Sequence, residues 1–185
     1  SAVWPFRERR GARPGALLTP LTPLGAAPVE LRALTAADAL DVTRLVGLLA
    51  RHEGFPPPSF TTETYARDIL ARDAYVAGCI ARQEGQAVGF TLWHPAYDTQ
   101  SGERGAYMVD LYVEAALRRQ GLGRALMAVA ARAATAWGGS FLWWSAKNAN
   151  AVAMGFYAGV GEMERDVATW ACFGARFQAL LKAQP

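Results

Sequence analysis

The chain has 185 residues, 52% of them hydrophobic, and carries a formal net charge of +3. This length fits one well-packed domain, since domains usually contain about 100–200 residues. No apolar run approaches the roughly 20 residues that span a bilayer, and so small a net charge argues against nucleic-acid binding. We therefore expect neither a membrane span nor a nucleic-acid partner.

Residues 1–28 contain proline, glycine and arginine but follow neither the helical nor the strand period. We expect them to form an extension outside a domain that covers residues 29–185. Pro20, Pro23 and Pro28 interrupt the apolar stretch that follows the first arginines, so the segment lacks the continuous apolar core of a secretory signal. This favours a cytoplasmic protein.

The next part of the chain predicts strands and helices from its apolar periodicity, with Thr35 as a suitable helix N-cap. In chain order, the predicted elements are a strand Val29–Leu34, a helix Ala36–Arg51, a helix from Thr61 or Thr62 to about Arg72, and strands Tyr75–Arg82 and Ala87–His94. Glu84-Gly85 predicts a hairpin turn slightly longer than two residues. His94–Gly102 is predicted to be a polar loop.

The second half continues the alternation of strands and helices. Its predicted elements are strands Tyr107–Val113 and Phe141–Ser145, a helix Leu122–Trp137, a late strand Thr169–Phe173 and a closing helix Ala175–Lys182. The whole order predicts an α/β domain built around a mixed sheet. Cys79 and Cys172 lie far apart and form no metal-spaced pair, so we expect no metal site.

The segment AYMVDLYVEAALRRQGLG, residues 106–123, reads as a strand followed by a basic glycine loop and a helix start. Free N–H groups and the macrodipole favour an anion at such a helix start, which predicts a pyrophosphate site. Arg124 follows Gly123, which excludes a Walker loop, and Leu126 stands where a dinucleotide fingerprint needs glycine. Taken alone, the pattern also fits a plain strand-to-helix turn.

Two motifs, RxxGxG at residues 118–123 and NxxAxxFYxxxG at residues 150–161, resemble in sequence and order those of the GNAT N-acetyltransferases. The resemblance covers roughly Val29–Lys182. It implies a GNAT fold, in which a mixed central sheet with a bulged, splayed pair of central strands is flanked by helices. It also implies acetyl-CoA as the donor and a primary amine as the acceptor.

The resemblance assigns roles to residues of both motifs. The backbone of the central strand would bind the pantetheine arm, the glycine loop would bind the pyrophosphate, and Tyr157 would protonate the leaving thiolate. A phenol suits that task, because its pKa of ~10 lies close to the ~8.5 of a thiol. The implied cofactor residues are Leu111, Tyr112, Val113, Arg118, Arg119, Gln120, Gly121, Leu122, Gly123, Arg124, Asn150 and Tyr157.

Within this family the chain is similar to the spermidine/spermine and thialysine acetyltransferase branch, through Arg51-His52-Glu53 and Tyr97-Asp98 among others. It departs from the polyamine enzymes at Val109, where they have Glu, and at Gln100, where they have Trp. Asp110 remains as a catalytic candidate, and Glu53 and Asp98 remain as substrate-binding candidates. A structural or solvated role for each of these carboxylates stays open.

The leading hypothesis is therefore an N-acetyltransferase for a small primary amine. A peptide or protein N-acetyltransferase and a non-catalytic acyl-CoA-binding module are the alternatives. The branch commonly pairs through its C-terminal strand and helix, so the resemblance also implies a homodimer, with Trp170 and Phe173 contributing apolar surface.

Overall fold

A computed structural model describes residues 18–21 and 27–182 of the protein. Six strands form one mixed sheet with the strands in chain order. These are β1 Leu18–Leu21, β2 Val29–Ala33, β3 Ala77–Gln83, β4 Gln86–Asp98, β5 Glu103–Val113 and β6 Gly139–Trp144. Only β5 and β6 are parallel. The mixed sheet flanked by helices is confirmed.

The chain divides into two compact units, one ending at Lys147 and the other beginning at Asn148.

The short strand β1 falls within the segment that we expected to lie outside the domain. Leu18–Leu21 pairs antiparallel with β2 at the edge of the sheet. Pro20 argues against a strand when the sequence is considered alone, because proline has no N–H group to donate. On an edge strand such a residue is tolerated. The rest of the expected extension, apart from residues 27 and 28, lies outside the described residues.

The β3–β4 hairpin and the length of β4 both differ from prediction. Glu84 and Gly85 form a turn of only two residues, with φ values of 49° and 80°, as the twist of a tight hairpin requires. Strand β4 continues through Pro95 to Asp98, so most of the predicted polar loop is strand. Beyond Trp93 only β5 pairs with β4, which leaves room for a proline in the ladder.

Helices cover the two faces of the sheet in the first unit. The helices are α1 Ala39–His52, α2 Thr62–Tyr65 continued by a π-helical turn Ala66–Leu70, and α3 Leu122–Ala136. Leu126 and Ala130 of α3 pack in one buried cluster with Ala106 and Val113 of β5. On the other face Val42 and Leu45 of α1 and Tyr65 of α2 pack in a second cluster with Phe90 and Tyr112. Among the described residues, none of the helices has the length and apolarity to cross a membrane.

A buried ion-pair network fixes the start of α1. The carboxylate of Asp38, which is fully buried, accepts two hydrogen bonds of 2.6 Å from Arg32 and one of 2.8 Å from Arg82. The backbone N–H of Thr35 also donates to Asp38, at 2.9 Å, and Thr35 is the predicted N-cap. Burial opposes the charge, but these hydrogen bonds outweigh it and hold the pKa of Asp38 well below its usual range. The network ties α1 to β2 and β3.

The second unit contains helices α4 Ala151–Tyr157 and α5 Gly174–Leu181. The predicted closing helix is therefore present. The predicted strand Thr169–Phe173 is wrong, because these residues take no regular structure and have no strand partner in the described part of the chain. Their aromatic and β-branched side chains suggested a strand, but a strand forms only where a neighbouring ladder accepts it.

Candidate active site

Strand β5 carries a bulge at Val109. Leu92 pairs with Asp110 and the next residue of β4, Trp93, pairs with Met108, so Val109 has no partner on β4. A bulge of one residue shifts the alternation of side chains. Ala106 and Leu111 accordingly pack against the same cluster on the α3 face, although they are five residues apart. The bulge implied by the family resemblance is therefore present.

Pairing between β5 and β6 stops directly before this bulge. Its last pair is Met108 with Trp144, and no described residue up to Lys147 pairs with the outer edge of Leu111–Val113. The ladder between the two central strands therefore ends there, and β5 continues without a partner on this edge among residues up to Lys147. Extended backbone with an open edge can accept an added strand-like ligand through its N–H and C=O groups, which fits the extended pantetheine arm of acetyl-CoA.

Only part of the predicted pantetheine-binding backbone faces this open edge. The carbonyl of Val113 points outward, because it accepts a hydrogen bond from Arg118 Nε at 2.9 Å. Backbone groups alternate along an antiparallel strand. The N–H and C=O groups of Leu111 therefore also point outward, and those of Tyr112 point toward β4. The assignment of backbone contacts to Tyr112 therefore does not fit. Its buried ring contributes differently, by lying beneath Arg118 with 5.7 Å between the ring centroid and the guanidinium carbon.

The glycine loop between β5 and α3 has the geometry of an anion site. Arg119 has a φ of 62° and Gly121, the N-cap of α3, has a φ of 87°. Glycine is needed at the N-cap because a side chain rarely adopts that conformation. The first N–H groups of a helix lack intrahelical acceptors and carry partial positive charge. Arg119, Gln120 and Arg124 are exposed around them.

Several side chains of the loop make contacts within the protein, among them Gln120, whose Nε2 donates to the Ala116 carbonyl at 3.0 Å. One Nη atom of Arg118 lies 3.4 Å from His52 Nε2, so the guanidinium is held by α1 and by Val113. The side chain of Leu122 is buried in the α3 cluster, so only its backbone is available to a ligand. Gly123 lies in the first turn of α3. Together, these residues fix the loop at the end of β5, next to the open edge.

Asp110 and Glu53 are brought together on the face opposite α3. Asp110 alternates with Leu111, so it shares a face with Tyr112, and Glu53 caps the C-terminus of α1 on that same face. Burial raises the pKa of Asp110 to about 6, with a further contribution from the charge of Glu53. A carboxyl group with this pKa is ionised at neutral pH and basic enough to accept a proton.

Asp98, the third predicted carboxylate, lies elsewhere. It pairs with Glu103 at the far end of the β4–β5 hairpin, roughly 20 Å along the strand from Asp110 at about 3.3 Å per residue. There it accepts hydrogen bonds from the Ser101 hydroxyl at 2.7 Å and the Gln100 N–H at 2.9 Å. These bonds lower the pKa of Asp98. Asp98 therefore stabilises the hairpin turn, and the structure does not bring it to the other two carboxylates.

Asn150 and Tyr157 both belong to the second unit. The Oδ1 atom of Asn150 accepts a hydrogen bond from the Ala153 N–H at 3.1 Å, which caps α4. Tyr157 is the last residue of α4, and its ring lies 5.2 Å from that of Phe156. Capping alone accounts for an asparagine at this position. The cofactor role of Asn150 and the acid role of Tyr157 stay predictions.

Sequence reasoning missed an aromatic row on the face that carries Asp110. The ring of His94 stacks on Tyr107 at 5.5 Å and lies 6.0 Å from Tyr75. Tyr107 also shares a hydrogen bond of 2.8 Å with Ser145. Strict alternation places Tyr107 and Asp110 on opposite faces, and only the bulge at Val109 brings them to the same one. The family resemblance implies a bulge in this strand, but the residue pattern does not place it at Val109.

A family comparison agrees with these features. The sequence profile of the acetyltransferase (GNAT) family matches residues 45–161, which is more than half of the chain. None of the curated proteins matches the chain.

Solved structures share the fold at low sequence identity. An integron cassette protein from the mobile metagenome of V. cholerae has a TM-score of 0.69 and 22% identity, covering 84% of this chain and 98% of its own. A ribosomal-protein-alanine N-acetyltransferase from Brucella melitensis biovar Abortus 2308 has a TM-score of 0.62 and 21% identity, covering 78% and 99%. An aminoglycoside acetyltransferase from an uncultured soil metagenomic sample has a TM-score of 0.64 and 20% identity, covering 79% and 97%. The chain belongs to the GNAT family and is an acetyl-CoA-dependent N-acetyltransferase.

Proposed function

We propose that this enzyme acetylates a small molecule that carries a primary amine, with Asp110 as the group that accepts the amine's proton. The observation that carries the proposal is the position of Asp110. Its carboxyl group stands on the bulged strand beside the open edge of β5, with the pKa raised to about 6 by burial. A protonated acceptor amine needs both a negative charge to bind it and a base to deprotonate it.

Residues of the first unit would hold the donor. Bound acetyl-CoA supplies an activated acetyl thioester. The outward backbone groups of Leu111 and the N–H of Val113 would hold the extended arm, and the first N–H groups of α3 with Arg119 and Arg124 would hold the pyrophosphate. Holding the two reactants side by side would supply most of the acceleration.

Tyr157 is proposed as the acid that protonates the leaving thiolate. Support comes from its place in the second motif and from the match between phenol and thiol pKa values. Asn150, the N-cap of α4, is proposed as a further cofactor contact. The support is again its place in the second motif. Substitution of Tyr157 tests this role with whichever amine the enzyme acetylates.

A small amine is favoured over a protein substrate by the charges near the open edge. Glu53 and Asp110 form a compact acidic pair, which suits a concentrated positive charge. The fold alone does not choose, because the similar structures include both an aminoglycoside acetyltransferase and a ribosomal-protein-alanine N-acetyltransferase. The diamine and thialysine branch remains one proposal for the substrate class.

Thiol release from acetyl-CoA tests the function directly. The acceptor panel contains diamines, spermidine, lysine, a thialysine analogue, an aminoglycoside and a peptide with a free N-terminus. We expect turnover with a small amine and none with the peptide. Turnover with the peptide alone would replace the small-molecule assignment with the protein-directed one.

We also propose that the protein is a homodimer that uses its C-terminal region. Trp170 and Phe173 support this, because they are 90% and 80% exposed and aromatic residues are enriched at protein–protein interfaces. Light scattering at micromolar concentration should give twice the monomer mass. A monomer under these conditions would contradict the proposal.

A further inference from the structure

The ammonium group of Lys147 contacts two groups at the end of α1. Its Nζ atom lies 3.3 Å from the centroid of the Phe55 ring and donates a hydrogen bond of 2.7 Å to the backbone carbonyl of Glu53. An aromatic face and a carbonyl oxygen are both groups that bind ammonium ions. We call this pair, the Phe55 ring and the Glu53 carbonyl, the ammonium seat.

The backbone holds both parts of the seat rigidly. The N–H of Phe55 bonds to the carbonyl of Ala50 at 2.8 Å, and that of Gly54 bonds to Arg51 at 3.2 Å. With Gly54 at a φ of 71°, this is a Schellman motif that ends α1. Three prolines, residues 56–58, follow directly and restrict the chain further. The backbone that carries the Phe55 ring is therefore fixed, although the ring itself is 52% exposed.

The side chain of Lys147, in contrast, can leave the ammonium seat by rotating about its own bonds. It is an exposed side chain with four rotatable bonds, located three residues beyond the end of β6. The ammonium seat also lies where other negative charge gathers. The C-terminal end of α1 carries partial negative charge, and the Glu53 carboxylate is close enough to Asp110 to raise its pKa. A second cation would be attracted to the same position.

We propose that the ammonium seat is a subsite for a second positive charge on the acceptor, which Lys147 occupies until the acceptor displaces it. This inference rests on the proposed function and deepens it, because it assigns the acceptor to the class of diammonium compounds. One amino group would react near Asp110, and the other would bind Phe55 and the Glu53 carbonyl.

Removing the competing lysine tests the subsite. In Lys147→Met, KM for at least one α,ω-diamine with three to six carbons should fall about tenfold, while KM for the monoamine of the same length changes less than twofold. Tenfold corresponds to about 1.4 kcal/mol, which is within the range of a cation–π contact. Lys182→Met is the matched control, because Lys182 is the other lysine of the chain and is also exposed.

The Phe55 ring provides the second test. Adding Phe55→Leu to Lys147→Met should abolish the advantage of the diamine over the monoamine. Equal KM changes for both acceptors, or a diamine advantage that persists in the double variant, would overturn the subsite.

A binding measurement separates failure of the subsite from failure of the proposed function. Calorimetric titration with 1,5-diaminopentane needs no turnover, and Lys147→Met should bind it about tenfold more tightly than Lys182→Met does. Such binding without acetylation of any amine would support the subsite and refute the proposed function. Acetylation of amines with no difference in diamine binding or KM between the two variants would refute the subsite alone.

Discussion

Asp110→Asn should lower activity and raise stability at the same time. Burial raises the pKa of Asp110 from 3.8 to about 6. Because this pKa is higher in the folded protein than in the unfolded chain, the ionised carboxylate opposes folding above about pH 6. Below the unfolded pKa of about 4, the group is protonated in both states and no longer affects stability. A shift of about two units corresponds to about 3 kcal/mol, which partial exposure to solvent reduces to about 1–2 kcal/mol.

Two assays measure the two effects. Urea unfolding at pH 7.5 should show Asp110→Asn to be about 1–2 kcal/mol more stable than the wild type, and the difference should vanish near pH 4. Thiol release at pH 7.5 should show kcat reduced by about 10²–10⁴, the usual contribution of a general base. The acidic limb of the kcat/KM profile, expected near pH 6 in the wild type, should disappear.

Asp98→Asn is the matched control. It makes the same chemical change in a carboxylate whose pKa is lowered by hydrogen bonds from Ser101 and Gln100. This variant should keep its kcat and should gain no stability at pH 7.5. The reasoning on Asp110 would be refuted by a variant that retains kcat and the acidic limb, or by one that is less stable than the wild type at pH 7.5.

Three further substitutions are expected to have measurable effects. Tyr157→Phe should lower kcat, measured by thiol release, by about 10²-fold or more. Its dissociation constant for acetyl-CoA, measured by calorimetry, should be unchanged. Weaker binding with normal turnover would contradict the acid role. Gly121→Ala forces alanine to a φ of 87°, at a cost of about 1–2 kcal/mol. Calorimetry should therefore show weaker acetyl-CoA binding by this variant. Gly155→Ala, in the middle of α4, is the glycine control. Asp38→Asn leaves Arg32 and Arg82 without their buried carboxylate, so urea unfolding should show a loss of about 3–5 kcal/mol; a loss below 1 kcal/mol would show that the network contributes little.

Local patterns predicted most of the fold because most elements satisfy their own preferences. The apolar period predicted the bounds of α1 and α3 within a few residues. Thr35 is the N-cap of a 3-10 turn, Ala36–Asp38, that leads directly into α1. The errors share one cause, which is that the outcome depends on a neighbouring strand. Pro95 is compatible with β4 only because β3 no longer pairs there, and Thr169–Phe173 lacks a strand to pair with among the described residues.

The candidate site was predictable in its backbone parts and less so in its side chains. The glycine loop has a fixed spacing because the N-cap of α3 needs a positive φ, and spacing is visible in a sequence. The grouping of carboxylates depends on tertiary distance, which is not visible. Glu53 and Asp98 were equivalent candidates in the sequence, and only the path of α1 and the length of the β4–β5 hairpin separate them.

The single extra residue at Val109 links the two halves of the proposed chemistry. Pairing of β6 with β5 ends at Met108, immediately before the bulge, so the open edge for the donor begins where the ladder is disrupted. The same bulge shifts the alternation, which turns Asp110 toward α1 and Glu53 and away from the α3 core. Without it, strict alternation from Ala106 would place Asp110 in the apolar cluster under α3, where a carboxylate is strongly disfavoured. In the proposed chemistry, donor binding and proton acceptance therefore both depend on one local feature of β5.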